Sequence, residues 1–203
     1  MNADAKKIAL RMIPYGLYVL TTKAADGISA ATVNWVTQAS FAPPLVAIGV
    51  KADSHGRKHL QTGATFALNM LGKNQSAVAY TFFKPTIVEG NKMSGQPYHD
   101  GASGAPILDS AIASIECKVV SIVEAGDHHV VVAEVIEANV AVPPTGRPDA
   151  AILELKDLGD NVFYGGLNTK PITTTVPLAM SSRAESRDSH NRAYLQTDPN
   201  VVK

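Results

Sequence analysis

Several things are scarce or missing in this 203-residue chain, and each shortage removes a class of answer. It has one cysteine, Cys117, so an intramolecular disulfide and a cysteine-only metal site are both excluded, and a reducing compartment such as the cytoplasm is expected. Neither charge is in surplus. Lys plus Arg and Asp plus Glu number 18 each, which points to no nucleic-acid partner, no membrane surface and no strongly ionic substrate. No stretch approaches the roughly 18 uncharged apolar residues that a membrane-spanning helix needs. Residues 1–12 interleave Lys6, Lys7 and Arg11 with apolar side chains and read as an amphipathic helix, not a signal peptide. There is no Gly-x-Gly-x-x-Gly turn, phosphate loop, Gly-x-Ser-x-Gly elbow or His-Glu-x-x-His pair. Any nucleotide cofactor must be held by other means.

What is present is strand-like. A helix over residues 3–13 is ended by Pro14, and β-rich segments 15–22 and 28–40 flank Asp26 and Gly27, a strong hairpin pair. A buried strand is expected over 45–50, a helix over 54–62 with Gly63 as its cap, a strand over 65–71 and a helix over 75–83. Residues 84–109, rich in Gly and Pro, read as one long irregular loop. Segments 112–123 and 130–142 form a second hairpin with a polar tip, and a last strand over 152–158 leads to 162–166. Six or seven hairpin-connected strands with three short helices predict a mainly β protein. The architecture expected is a Greek-key antiparallel barrel over residues 1–166 with short peripheral helices. Residues 167–203 lack an apolar period and read as a solvated, extended tail, or else as an arm laid on a partner subunit.

Two segments carry candidate chemistry. Thr32, Asn34 and Thr37 alternate with Val33 and Val36 ahead of Pro43 and Pro44, so one face can meet a flat polar ligand while the other packs. Trp35 taken alone reads as core or interface packing. Further on, Ser54, His55, Arg57 and Lys58 crowd the start of a helix, where Ser54 can cap and donate to a phosphate and Arg57 or Lys58 can neutralise it. Lys51 is a further cation in reach. A phosphorylated planar cofactor suits both segments, with FMN the first candidate. His55, His59, His99 and His190 are too dispersed along the chain to define a metal site, so no metal is expected, and Cys117 reads as structural. Asp127 and His128 by themselves suit a hairpin turn.

The order of Pro14-Tyr15-Gly16-Leu17-Tyr18, Thr32-Val33-Asn34-Trp35-Val36-Thr37-Gln38, Phe66-Ala67-Leu68-Asn69, Gly126-Asp127-His128 and Phe163-Tyr164-Gly165-Gly166 resembles the flavin reductase-like family of FMN-binding split barrels. The resemblance covers about residues 8–166. It is especially close to the flavin reductase module of cyanobacterial diiron flavoproteins, and the module reads here as standing alone.

The resemblance implies that the segment carrying Thr32, Val33, Asn34, Trp35 and Thr37 borders the isoalloxazine and ribityl chain. It also implies that the loop of Lys51, Ser54, His55, Arg57 and Lys58 grips the phosphate, and that His128 shapes the hydride-transfer site. The expected activity is transfer of a hydride from NADH or NADPH to FMN, or to FAD, at a homodimer interface, with residues 84–109 and the tail as lids. The alternatives are a flavoredoxin-like carrier reduced by a protein partner and a flavin-binding module without turnover.

Overall fold

The turn at Asp26 and Gly27 does what its residues favour: β1 (Tyr18–Ala24) runs into β2 (Gly27–Val33) with Ala24 opposite Gly27, whose φ of +127° suits glycine. Before it lies α1 (Ala3–Arg11), capped by Asn2, whose side chain accepts from the Ala5 N–H at 2.9 Å. None of the residues of α1 is buried among the described residues. The structure, a computed structural model, describes residues 1–159 together with 162, 163, 166 and 167. The tail expected over 167–203 therefore falls, beyond Leu167, outside the described residues, as do Tyr164 and Gly165 of the last motif.

The remaining elements follow in order. β3 (Val36–Phe41) and β4 (Pro44–Lys51) form a hairpin, α2 (His55–His59) and β5 (Thr65–Met70) come next, and α3 (Ser76–Thr81) after them. Four short strands, β6 (Val88–Glu89), β7 (Lys92–Met93), β8 (Gln96–Asp100) and β9 (Pro106–Leu108), precede the long hairpin of β10 (Ala113–Val123) and β11 (His128–Val140). The described chain closes with α4 (Pro148–Ala151), a 3-10 turn at Leu155–Leu158, β12 (Val162–Phe163) and β13 (Gly166–Leu167).

Seven strands make one antiparallel sheet in the order β2-β1-β5-β10-β11-β4-β3. The two edges of that sheet, β2 and β3, are consecutive in the chain and separated only by Asn34 and Trp35. Three Cα steps span at most about 11 Å, so the sheet has to curl until its edges nearly meet. Because β2 and β3 do not pair with each other, the result is a barrel split along that seam. This corrects the expectation of one strand over 28–40. The alternation continues through Asn34 and Trp35, yet the chain changes sheet edge there and the ladder is broken.

Two apolar clusters fix the sheet from its two faces, as the period of two requires. Leu20, Ile48, Phe66, Leu68, Cys117, Val119 and Val131 fill the barrel interior, and Leu60 closes it from the end of α2. Their neighbours Leu17 and Val19 face outward onto Phe82, Met93, Leu108 and Leu153. Each such side chain contributes about 1.5–3 kcal/mol by leaving water.

The segment expected as an irregular lid is in fact a second sheet, β6-β7-β8-β9, held to the barrel where the Leu108 N–H donates to Asn69 Oδ1 at 2.9 Å. Its tight turns explain the glycines: Ser94 and Gly95 both have positive φ, the primed-turn geometry of a two-residue hairpin. The strand expected over 152–158 is likewise replaced, by isolated bridges at Ile152 and Glu154 and the 3-10 turn. The helix expected over 54–62 shortens to the five residues of α2.

Candidate functional site

The seam between β2 and β3 concentrates the unusual chemistry. Thr32 is drawn toward α3, its hydroxyl donating to the Ala79 carbonyl at 2.7 Å and its N–H to the Phe82 carbonyl at 3.1 Å. Val33 packs on the barrel core. Asn34 is only 4% exposed, and its side-chain Nδ2 has no hydrogen-bond partner. A buried donor left unpaired costs about 1–3 kcal/mol, a penalty that a ligand acceptor would remove.

Trp35 lies flat on Gly49: a Cβ at that position would come within 2.8 Å of the indole Cε3. Its ring also meets the imidazole of His128, with centroids 4.7 Å apart and planes inclined at 57°. His128 opens β11 directly opposite Lys51 of β4, and its Nδ1 stands 3.0 Å from Asp127 Oδ1. That contact holds the Asp127 carboxyl below its ordinary value. Lys51 does the same for Asp53, lying 2.9 Å from it. Asn34, Trp35, Lys51 and His128 are thus gathered at one end of the barrel. Thr37 stands apart, exposed on β3 with its hydroxyl donating to the Gln38 carbonyl.

A cleft of about 570 Å³ opens on the far side of β2, lined by Ser29, Ala30 and Ala31, by Ser54, His55 and Gly56, and by residues 82–86. Ser54 caps α2, its hydroxyl accepting from the Arg57 N–H at 3.3 Å and donating to the Lys51 carbonyl at 2.8 Å. Gly56 permits the close approach of α2 to β2, since a Cβ there would sit 3.3 Å from the Ser29 hydroxyl. Lys84 supplies the cleft with a cation that the sequence reading left in a loop, and Thr86 latches that segment to the edge of β2 by donating to the Ala30 carbonyl and accepting from its N–H, both at 2.8 Å. Ser29, Lys84 and Thr86 were missed. The only signal for them was the Lys84-Pro85 step directly behind a helix.

Arg57 and Lys58 do not reach the cleft. The Arg57 guanidinium is buried and spends its donors on His129 Nδ1 (2.9 Å), the Leu60 carbonyl (3.0 Å) and Glu124 Oε1 (2.6 Å), while Lys58 is exposed on α2. Burial first, and Glu116 second, push the Cys117 thiol up to about 12, so it stays protonated and structural.

The expectation that the histidines are dispersed needs correction for two of them. His55 and His59, one turn apart on α2, converge with Asp26 at the β1–β2 turn, which the hairpin register carries over α2. His99 instead pairs with Asp109 at 2.7 Å, and His190 lies outside the described residues.

The family model for the flavin reductase like domain matches residues 10–150. The chain belongs to that family. Diflavin flavoprotein A 1 of Synechocystis sp. is 32% identical over 142 residues, which is 70% of this chain and 25% of that protein. The chain thus spans about a quarter of the length of the curated relatives it matches.

Among solved structures, the NADH:FAD oxidoreductase of Streptomyces globisporus gives a TM-score of 0.58 over 69% of this chain and 86% of its own, at 28% identity. The styrene monooxygenase flavin reductase of Pseudomonas putida gives 0.58 over 67% and 87%, at 27% identity. The chain shares the split-barrel fold of this family's flavin reductases. No helix among the described residues is long and apolar enough to cross a membrane.

Proposed function

We infer that this chain is a flavin-binding oxidoreductase that takes a hydride from NADH or NADPH onto FMN or FAD, and that the flavin sits along the β2–β3 seam. The observation that carries the reading is the buried, unpaired Nδ2 of Asn34, a fixed donor in a segment of the chain that changes sheet edge. Such a group fits the polar rim of a flavin. When bound, the flavin would supply the hydride-accepting ring.

The chain's own residues supply position. Asn34 offers its amide to a ring or ribityl acceptor, and the cap of α2 at Ser54 and His55, with Lys84 across the cleft, offers hydroxyl, imidazole and ammonium groups to a phosphate. Trp35, braced on Gly49, keeps His128 in place over the seam, where the imidazole can steer the nicotinamide and exclude water. Lys51, opposite His128, adds a positive field near the reducing end. Arg57 has a structural role in this scheme. A solved structure of the Streptomyces protein holds NAD and FAD fragments, which supports the same pair of partners here. Exposed apolar residues on the outer faces of β10 and β11, among them Val120, Val123, Ile136 and Val140, favour a homodimer.

The visible spectrum of the purified chain, followed anaerobically as each nicotinamide nucleotide is added, tests the activity. Bleaching of the flavin bands by NADH or NADPH is expected. A flavin-loaded protein that neither nucleotide bleaches would favour the electron carrier fed by a protein donor, and a chain that takes up no flavin would overturn the reading.

A further inference from the structure

We propose that Asp26, His55 and His59 form a binding site for one divalent transition-metal ion of the zinc class, clamping the β1–β2 turn to α2. One ligand atom from each residue lies within 4.8 Å of the others. Asp26 Oδ1 is 2.9 Å from His59 Nε2, and Asp26 Oδ2 is 3.5 Å from His55 Nε2. These separations bracket the roughly 3.3 Å edge of a tetrahedron built on metal–ligand bonds of 2.0–2.1 Å. His55 is at the surface, its side chain about half exposed, and has room to close the remaining gap.

A plain ion pair between Asp26 and His59 accounts for the geometry less well. The His59 side chain is 4% exposed, and its Nε2, 2.9 Å from Asp26 Oδ1, lies off the direction a hydrogen bond to any of the described residues would need, although the short separation still lets His59, with a backbone hydrogen bond, lower the Asp26 carboxyl against its desolvation. The ring nitrogen therefore aims past the oxygen. Its other nitrogen, Nδ1, lies 2.8 Å from the hydroxyl of buried Thr22. With the proton on Nδ1, His59 donates to Thr22 and presents the Nε2 lone pair beside the carboxylate. In that tautomer two electron-rich atoms at that distance repel unless a cation lies between them, and an outer hydrogen bond of this kind is how ligating histidines are commonly held. Two imidazoles and one carboxylate favour zinc, copper, nickel or cobalt over calcium or magnesium, which prefer more oxygen ligands. Three protein ligands leave a position for water, and the exposed Asp26 provides the way in.

The site goes beyond the flavin reading and shares His55 and one wall of the cleft with it. Asp26 and His55 both line the cleft that also holds Ser54 and Gly56, so an ion there would stiffen that wall.

Calorimetric titration of Zn²⁺ into the full, flavin-free, chelator-treated chain should show one saturable equivalent and a rise in melting temperature. Cobalt in place of zinc should give the visible bands of a four-coordinate nitrogen–oxygen site. Asp26→Asn, a surface change expected to keep the fold by circular dichroism, should weaken zinc about tenfold or more, as should His55→Ala and His59→Ala. His99→Ala, at the separate His99–Asp109 pair, should bind as the parent does. No saturable binding by the parent chain, or undiminished binding by Asp26→Asn and His55→Ala, would overturn the proposal. Because flavin is absent throughout, neither failure bears on the flavin site.

Discussion

Asn34 and Arg57 are both buried polar side chains, both stand in segments that suggest cofactor contacts, and the structure treats them in opposite ways. Arg57 has its guanidinium engaged within the chain, through His129, Leu60 and Glu124. Asn34 has a buried amide donor with no partner among the described residues. A polar group satisfied by its own fold is part of the scaffold, whereas one kept buried and unsatisfied implies a partner from outside. A polar side chain in a segment with candidate cofactor contacts is common to both, so it cannot separate the two.

The contrast is broken most forcefully at Arg57. Arg57→Met should destabilise the chain by about 2–4 kcal/mol, because it removes three hydrogen bonds and leaves His129 and the Leu60 carbonyl short of a donor. Chemical denaturation measures this, and flavin affinity in the folded fraction should change little. Ser54→Ala should cost about 1 kcal/mol through the lost cap and should also weaken flavin, which places Ser54 between the two extremes. Equal flavin affinity would assign Ser54 to the scaffold alone. His128→Ala gives up about 1 kcal/mol of ring contact with Trp35 and should slow reduction by the nicotinamide roughly tenfold by loosening the seam. Stopped-flow absorbance would read the rate.

The smallest effect is with acid. Asp127 and Asp53 have folded carboxyls held below the ordinary value, by His128 and Lys51 respectively. Their contribution is therefore complete above about pH 4 and is lost as pH falls through the lower folded values. Carbon-13 NMR of the Asp127 and Asp53 carboxyls should show both titrating below the ordinary aspartate value of about 3.9.

How much of this was legible beforehand can be judged element by element. The two long hairpins were, because Asp26-Gly27 and the polar tip at residues 124–129 sit between β-branched runs and local chemistry alone determines them. The seam was not, although Trp35 and Val36 are two apolar residues in a row, which puts Thr32 and Thr37 on opposite phases of the period of two just where the chain changes sheet edge. The small β6–β9 sheet was masked by its glycines, which read as disorder until Gly90 and Gly95 are seen as turn residues with positive φ. At the site, Lys51 was expected with the phosphate loop and His128 with the hydride-transfer end, and the structure sets them opposite each other, with Trp35 against His128; Arg57 was expected at a phosphate, and Glu124, its partner, lies 67 residues away. The same distance problem hid Asp26 from His55 and His59, although the one-turn spacing of the two histidines was in plain view.

The most direct test of the flavin site is a paired measurement on Asn34→Ala: flavin affinity by fluorescence titration and melting temperature in the absence of flavin. Removing a buried, unpaired donor should leave the melting temperature unchanged or higher while weakening flavin by about tenfold or more. A variant that binds flavin as tightly as the parent chain would contradict the assignment of the β2–β3 seam as the flavin site.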